Sequence, residues 1–146
     1  MKAGLRRKQK GAAAIEFALV FVIFFAVFYG LVSYSLPLLM MQSFNESTAE
    51  AVRRSVAVDP TTTGYKNTIE TLSITVLKQQ LSWIPTALQF NADTDATALY
   101  ANGVLSVTIN YPSSKLYQVL PRLVLPGIGA VPNLPTLLTA KSSLQF

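Results

Sequence analysis

Hydrophobic and polar positions divide the chain into two unequal stretches. Residues 17–41 read FALVFVIFFAVFYGLVSYSLPLLMM, apolar on every side, with two tyrosines as their only ionisable groups. At about 1.5 Å per residue a helix over this run measures roughly 37 Å, more than the ~30 Å hydrocarbon core of a bilayer, so the pattern predicts a membrane span. A secretory signal peptide fits less well, because its apolar region is shorter and is followed by small residues, whereas this run closes on Leu38, Leu39, Met40, Met41 and Gln42. Pro37 removes a backbone donor, which predicts either a kink or local unwinding over 33–37 or an ordinary membrane proline satisfied by its neighbours.

Beyond the run the periods change. Phe44, Ala51, Val52 and Val56 fall on one side and Glu46, Glu50, Arg53 and Arg54 on another, which continues the helix outside the membrane until Asp59-Pro60 and the Thr61-Thr62-Thr63-Gly64 turn. Both acids precede the bases, Glu50 by three and four positions, an order that supports a solvated helix face or a subunit contact. A second helix is predicted over 65–83, with Ile69, Leu72, Val76, Leu77 and Leu81 as its apolar side, although Leu72, Ile74 and Val76 also alternate as a strand would. Leu105, Val107, Ile109 and Tyr111 alternate with polar residues as a half-buried strand does. Asn102-Gly103 signals a hairpin turn that makes 97–101 its partner, and Leu88 with Phe90 suggests an earlier strand. Leu138, Ala140, Ser142, Leu144 and Phe146 share one face of a last strand. Residues 112–135 carry five prolines among large apolar residues, a greasy loop that either packs on the sheet or meets a partner. Asp93 and Asp95 read as a solvated turn, since two carboxylates are too few for a calcium cage. The fold class is therefore α+β: a long N-terminal transmembrane helix continuing outside, a second helix and a small antiparallel sheet.

Composition removes most chemistry. The chain has no cysteine and no histidine, which excludes disulfides, Cys/His metal sites, catalytic thiols and imidazole-based triads; no enzyme, metal or cofactor is expected. The formal charge of +5 comes from the N-terminus: of twelve Lys and Arg residues, Lys2, Arg6, Arg7, Lys8 and Lys10 precede Gly11, and the remaining seven balance the seven acids. No nucleic-acid-binding patch follows from that distribution. A basic cluster immediately before a span instead predicts an N-in, C-out orientation.

Between cluster and span lies Gly11-Ala12-Ala13-Ala14-Ile15-Glu16-Phe17, where a carboxylate stands at the edge of the apolar segment. An ionised acid at that depth carries a desolvation penalty unless it has a partner or snorkels to the interface. The string RRKQKGAAAIEFALV, residues 6–20, resembles the processing site of type IV pilin-like precursors, and more narrowly that of the TadE-like proteins, minor pilins or pseudopilins of the tight-adherence (Tad/Flp) pilus. The close likeness covers 6–41, and the length beyond the span is similar to a TadE-like subunit rather than to the shorter major pilin.

The resemblance implies a type IV pilin-like fold in three parts: a cytoplasmic leader 1–11, a helix 12–58 with the span 17–41, and an extracytoplasmic head 59–146. It implies that a prepilin peptidase cuts between Gly11 and Ala12, removing Lys2, Arg6, Arg7, Lys8 and Lys10 with the leader. The new Ala12 ammonium and Glu16 then serve assembly by charge pairing between neighbouring subunits. The partners implied are the peptidase, other pilins and pseudopilins, the Tad assembly platform and membrane lipid, at the bacterial cytoplasmic membrane and then in a pilus or pseudopilus. The alternative is an unprocessed single-pass anchor presenting an extracytoplasmic binding domain.

Overall fold

The computed structural model describes residues 8–125 and 127–145. Helix α1 (Lys8–Ser55) is continuous through Pro37, without unwinding over 33–37. Its C-terminal half buries a ridge of Met40, Phe44, Thr48, Ala51 and Ser55, residues three or four apart on one face. Val56, expected on this face, lies beyond the last turn and is half exposed. Arg53 and Arg54 occupy the last turn, where cations complement the helix dipole.

Asp59 ends the excursion after α1: its Oδ1 accepts from Thr61 N–H and Oγ1, both at 2.8 Å. Those bonds hold its carboxyl below the usual range. Helix α2 (Tyr65–Gln80) follows Gly64, whose φ of 75° sets the entry angle. Ile69, Ser73, Val76 and Leu77 form its buried side. Two serines join the helices: Ser55 Oγ and Ser73 Oγ lie 3.0 Å apart, each also bonded to the carbonyl four residues earlier on its own helix. Buried hydroxyls so paired avoid the cost of unmet donors.

Residues 86–88 form a short 3-10 turn and Ala92–Asp95 the four-residue helix α3, where a strand through Leu88 and Phe90 was expected. Asn91 Oδ1 accepts Asp93 N–H at 2.9 Å and caps α3, which diverts the backbone from an extended path. Leu88 and Phe90 still point inward: the Phe90 ring lies tilted 5.4 Å from Phe44, which also meets Tyr111 at 5.9 Å, and Leu88 is buried.

Strands β1 (Ala96–Ala101) and β2 (Val104–Pro112) form the expected hairpin around Asn102 and Gly103, with φ of 53° and 75°. Two left-handed residues in a row make the turn whose twist matches the strands. After the short helix α4 (Ser113–Leu116) come two three-residue strands, β3 (Leu123–Leu125) and β4 (Gly129–Val131), paired with each other, and then β5 (Leu137–Gln145). The main sheet is antiparallel in the order β1-β2-β5, with β2 at its centre. Leu105, Val107, Ile109 and Tyr111 on β2, and Leu138 and Ala140 on β5, face both helices; Ser142 further along β5 meets Thr48 Oγ1 at 3.0 Å. Leu144 is largely exposed, and Phe146 lies outside the described residues. On α2, Glu70 accepts the Tyr100 N–H of edge strand β1 at 2.8 Å. The head is thus two layers, helices on one face of a three-stranded sheet.

Candidate functional site on the exposed half of the first helix

α1 changes character at Ser33. From there to its end it is packed by the head, beginning with Ser33, Pro37 and Met40, all buried. Across 11–32 most residues are exposed, including Phe17, Phe21, Phe25 and Phe28. Apolar side chains in that number cannot stand in water, so this half requires another cover. At about 1.5 Å per residue, 11–32 measures roughly 33 Å, close to the ~30 Å of hydrocarbon a span must cross. One long apolar helix of this kind suggests membrane anchoring.

The exposed half carries an aromatic ladder at helical spacing. Phe17, Phe21, Phe25 and Tyr29 follow one another at ring separations of 6.1, 6.2 and 6.1 Å, and Phe24 with Phe28 makes a parallel step. The ladder ends at Tyr29, and this tyrosine and Tyr34 further along α1 touch the head. Tyr29 hydroxyl donates to the Pro121 carbonyl, and Tyr34 hydroxyl accepts the Asn133 N–H at 2.8 Å. Thus the proline-rich segment is tied to α1 near residues 121 and 133, while its Leu116, Leu120 and Leu134 pack with the core beneath the sheet. A groove of about 360 Å³, lined by Tyr34, Pro37, Leu38 and Met41 against Leu134, Pro135 and Leu137, lies along the same seam. These two are the only tyrosines of the apolar run, though nothing in the sequence joins them to residues 121 and 133.

Gly11, Ala12 and Glu16 all lie on exposed turns of α1. Ala12 and Glu16, four apart, share a face one turn from each other. Glu16 has no partner among the described residues. A Cβ at Gly11 would meet nothing, so the glycine is not required by packing. Lys8 and Lys10 lie on the first turn of α1, with their side chains outside the description, and Lys2, Arg6 and Arg7 lie outside the described residues.

The other charged residues belong to the head. Glu50 holds Arg53 and Arg54, at 2.7 Å for Arg54 Nε, and the two guanidinium bonds keep its carboxyl below the usual range. Glu46 takes no part in these pairs. Asp93 is exposed, as expected of a solvated turn, with Lys78 at 2.7 Å, whereas Asp95 departs from that expectation: it is buried and meets Lys115 at 2.7 Å. Among the described residues no three carboxylates converge on a point where a cation could sit.

No curated protein and no solved structure matches the chain. A family model described as TadE-like protein matches residues 11–53, which covers the exposed half of α1 and nearly all of the packed half. Over these residues of its long helix the chain is similar to the TadE-like family.

Proposed function

We propose that this chain is a pilin-like structural subunit, a minor pilin or pseudopilin, that waits in the bacterial cytoplasmic membrane N-in and C-out before assembly into a Tad/Flp-type pilus. A prepilin peptidase cuts between Gly11 and Ala12 and removes Lys2, Arg6, Arg7, Lys8 and Lys10. The observation that carries this reading is the bare half of α1, long enough for a bilayer and bearing Ala12 and Glu16 one turn apart at its start.

Cleavage leaves an ammonium on Ala12. Helices packed side by side can then set that cation against Glu16 of a neighbour, which offsets the desolvation of both as lipid is exchanged for protein. Gly11 suits the cut, since a glycine inside a helix lowers its local stability by about 1 kcal/mol relative to alanine and eases the opening a protease requires. Other pilins, the Tad assembly platform and lipid are the partners of this cycle.

The test is N-terminal sequencing of membrane-extracted protein expressed with and without a prepilin peptidase. A mature chain beginning at Ala12 only with the peptidase is expected. Retention of Lys2 through Gly11 in both samples would replace this reading with an unprocessed anchor. Glu16→Ala is expected to be cut normally yet fail to enter the pilus; normal incorporation would remove the charge-pairing role.

A further inference from the structure

We infer that the β3–β4 hairpin is a second membrane contact, whose apolar tip enters the lipid interface on the head side of the bilayer; this rests on the reading of α1 as a membrane span. Three observations converge. The first is placement. The Pro121 and Asn133 contacts to Tyr29 and Tyr34 fix both ends of the hairpin to α1 at the level where head cover ends and the bare helix begins. A bilayer that encloses 11–32 therefore has its surface at the hairpin.

The second is chemistry. Val124 and Ile128 are 78% and 70% exposed, more than any other large apolar side chain among the described residues of the head. Residues 119–131 contain no acid and a single base, Arg122, whose guanidinium lies 4.5 Å from the Tyr117 ring centre. Aromatic rings beside a cation, next to exposed aliphatic residues, match the headgroup region, where phosphate meets acyl chain.

The third sets the depth. A two-stranded hairpin leaves outer backbone groups unpaired, which the hydrocarbon core does not tolerate but the wetter interface does. Gly127 and Gly129, with φ of 80° and 98°, keep the tip narrow, so that Ile128 can enter without carrying the ladder with it. Lipid is the occupant the placement favours: before assembly, whatever surrounds the bare half of α1 also meets the hairpin tip.

The chain's lack of cysteine permits the test. Three full-length variants, Val20→Cys, Thr62→Cys and Ile128→Cys, are labelled with an environment-sensitive fluorophore. They are then reconstituted in phosphatidylethanolamine–phosphatidylglycerol vesicles with and without nitroxide-bearing lipids. Val20 lies in the bare half of α1 and Thr62 in the exposed loop beyond its far end. Nitroxide lipids are expected to abolish most emission from the labels at 20 and 128 and to spare that at 62. Quenching at 20 but not at 128 overturns the hairpin contact alone, whether its label proves open to water or covered by another protein chain. No quenching at 20 overturns the span on which the inference rests. Leader cleavage plays no part in the readout, so failure of processing is distinguished by N-terminal sequencing.

Discussion

Lys115 Nζ donates to both carboxylate oxygens of Asp95 at 2.7 Å, and thereby ties α4 to the end of α3. Asp95 is 7% exposed and also accepts the Asn91 N–H at 2.9 Å, while Lys115 donates to the Gln89 carbonyl at 3.0 Å. Both ions are therefore well satisfied, and removal of one leaves the other stranded in a low-dielectric setting. Lys115→Met is expected to destabilise the detergent-solubilised full chain by on the order of 3 kcal/mol. Adding Asp95→Asn should recover part of the loss. Urea unfolding followed through Trp83 emission measures both; equal stability of Lys115→Met and the parent chain would refute the tie.

Tyr111 is fully buried beneath the same lysine and donates to the Leu88 carbonyl at 2.7 Å. Burial, and then the Asp95 charge, push its phenol up to about 12. The unfolded chain ionises near pH 10, so the stabilisation linked to the neutral phenol is complete below that pH. It declines as pH rises through the folded value, by about 3 kcal/mol over the two units. Tyr111→Phe is expected to cost about 1–3 kcal/mol at neutral pH, by leaving the Leu88 carbonyl unmet, and to flatten the alkaline limb between pH 10 and 12. Stability curves at successive pH values test both effects, and an unchanged alkaline limb would contradict the assignment.

At the β1–β2 turn, Gly103 has a φ of 75°. Gly103→Ala places a Cβ in a left-handed conformation and should lower stability by about 1–2 kcal/mol, read as a lower urea midpoint. Asn102, at 53°, occupies the same region as a residue type that tolerates it. A midpoint no lower than that of the parent chain would show that the turn does not need this geometry.

Elements with strong local patterns were readable from the residues. The apolar run, the 69–81 helical spacing, the Asn102-Gly103 turn and the 105–111 alternation each appear as α1, α2 and the hairpin. Leu88 and Phe90 misled because alternation over three residues is shared by strands and by loops pinned to a core; here Phe44 and Tyr111 pin the loop, and Asn91 capping bends it. Asp93 is solvated as its surroundings suggest, but the burial of Asp95 was not legible because its partner, Lys115, lies twenty residues further along the chain. Strands β3 and β4 were hidden by prolines, which flank the short ladder at 121 and 132 rather than interrupt its described positions. At the candidate site the long apolar helix was legible through its composition. The seam between Tyr29, Tyr34 and the segment near 121–133 was not, since no local signal joins residues so distant.

Because α1 runs without a break from the bare half into the core around Phe44, no hinge separates anchor from head. A pull applied to one end is carried along a single rod to the other, and a twist of the anchored end turns the sheet with it. The head therefore acts as a lever rigidly fixed to its shaft, and the tilt of the bare half sets the direction in which the outer sheet points.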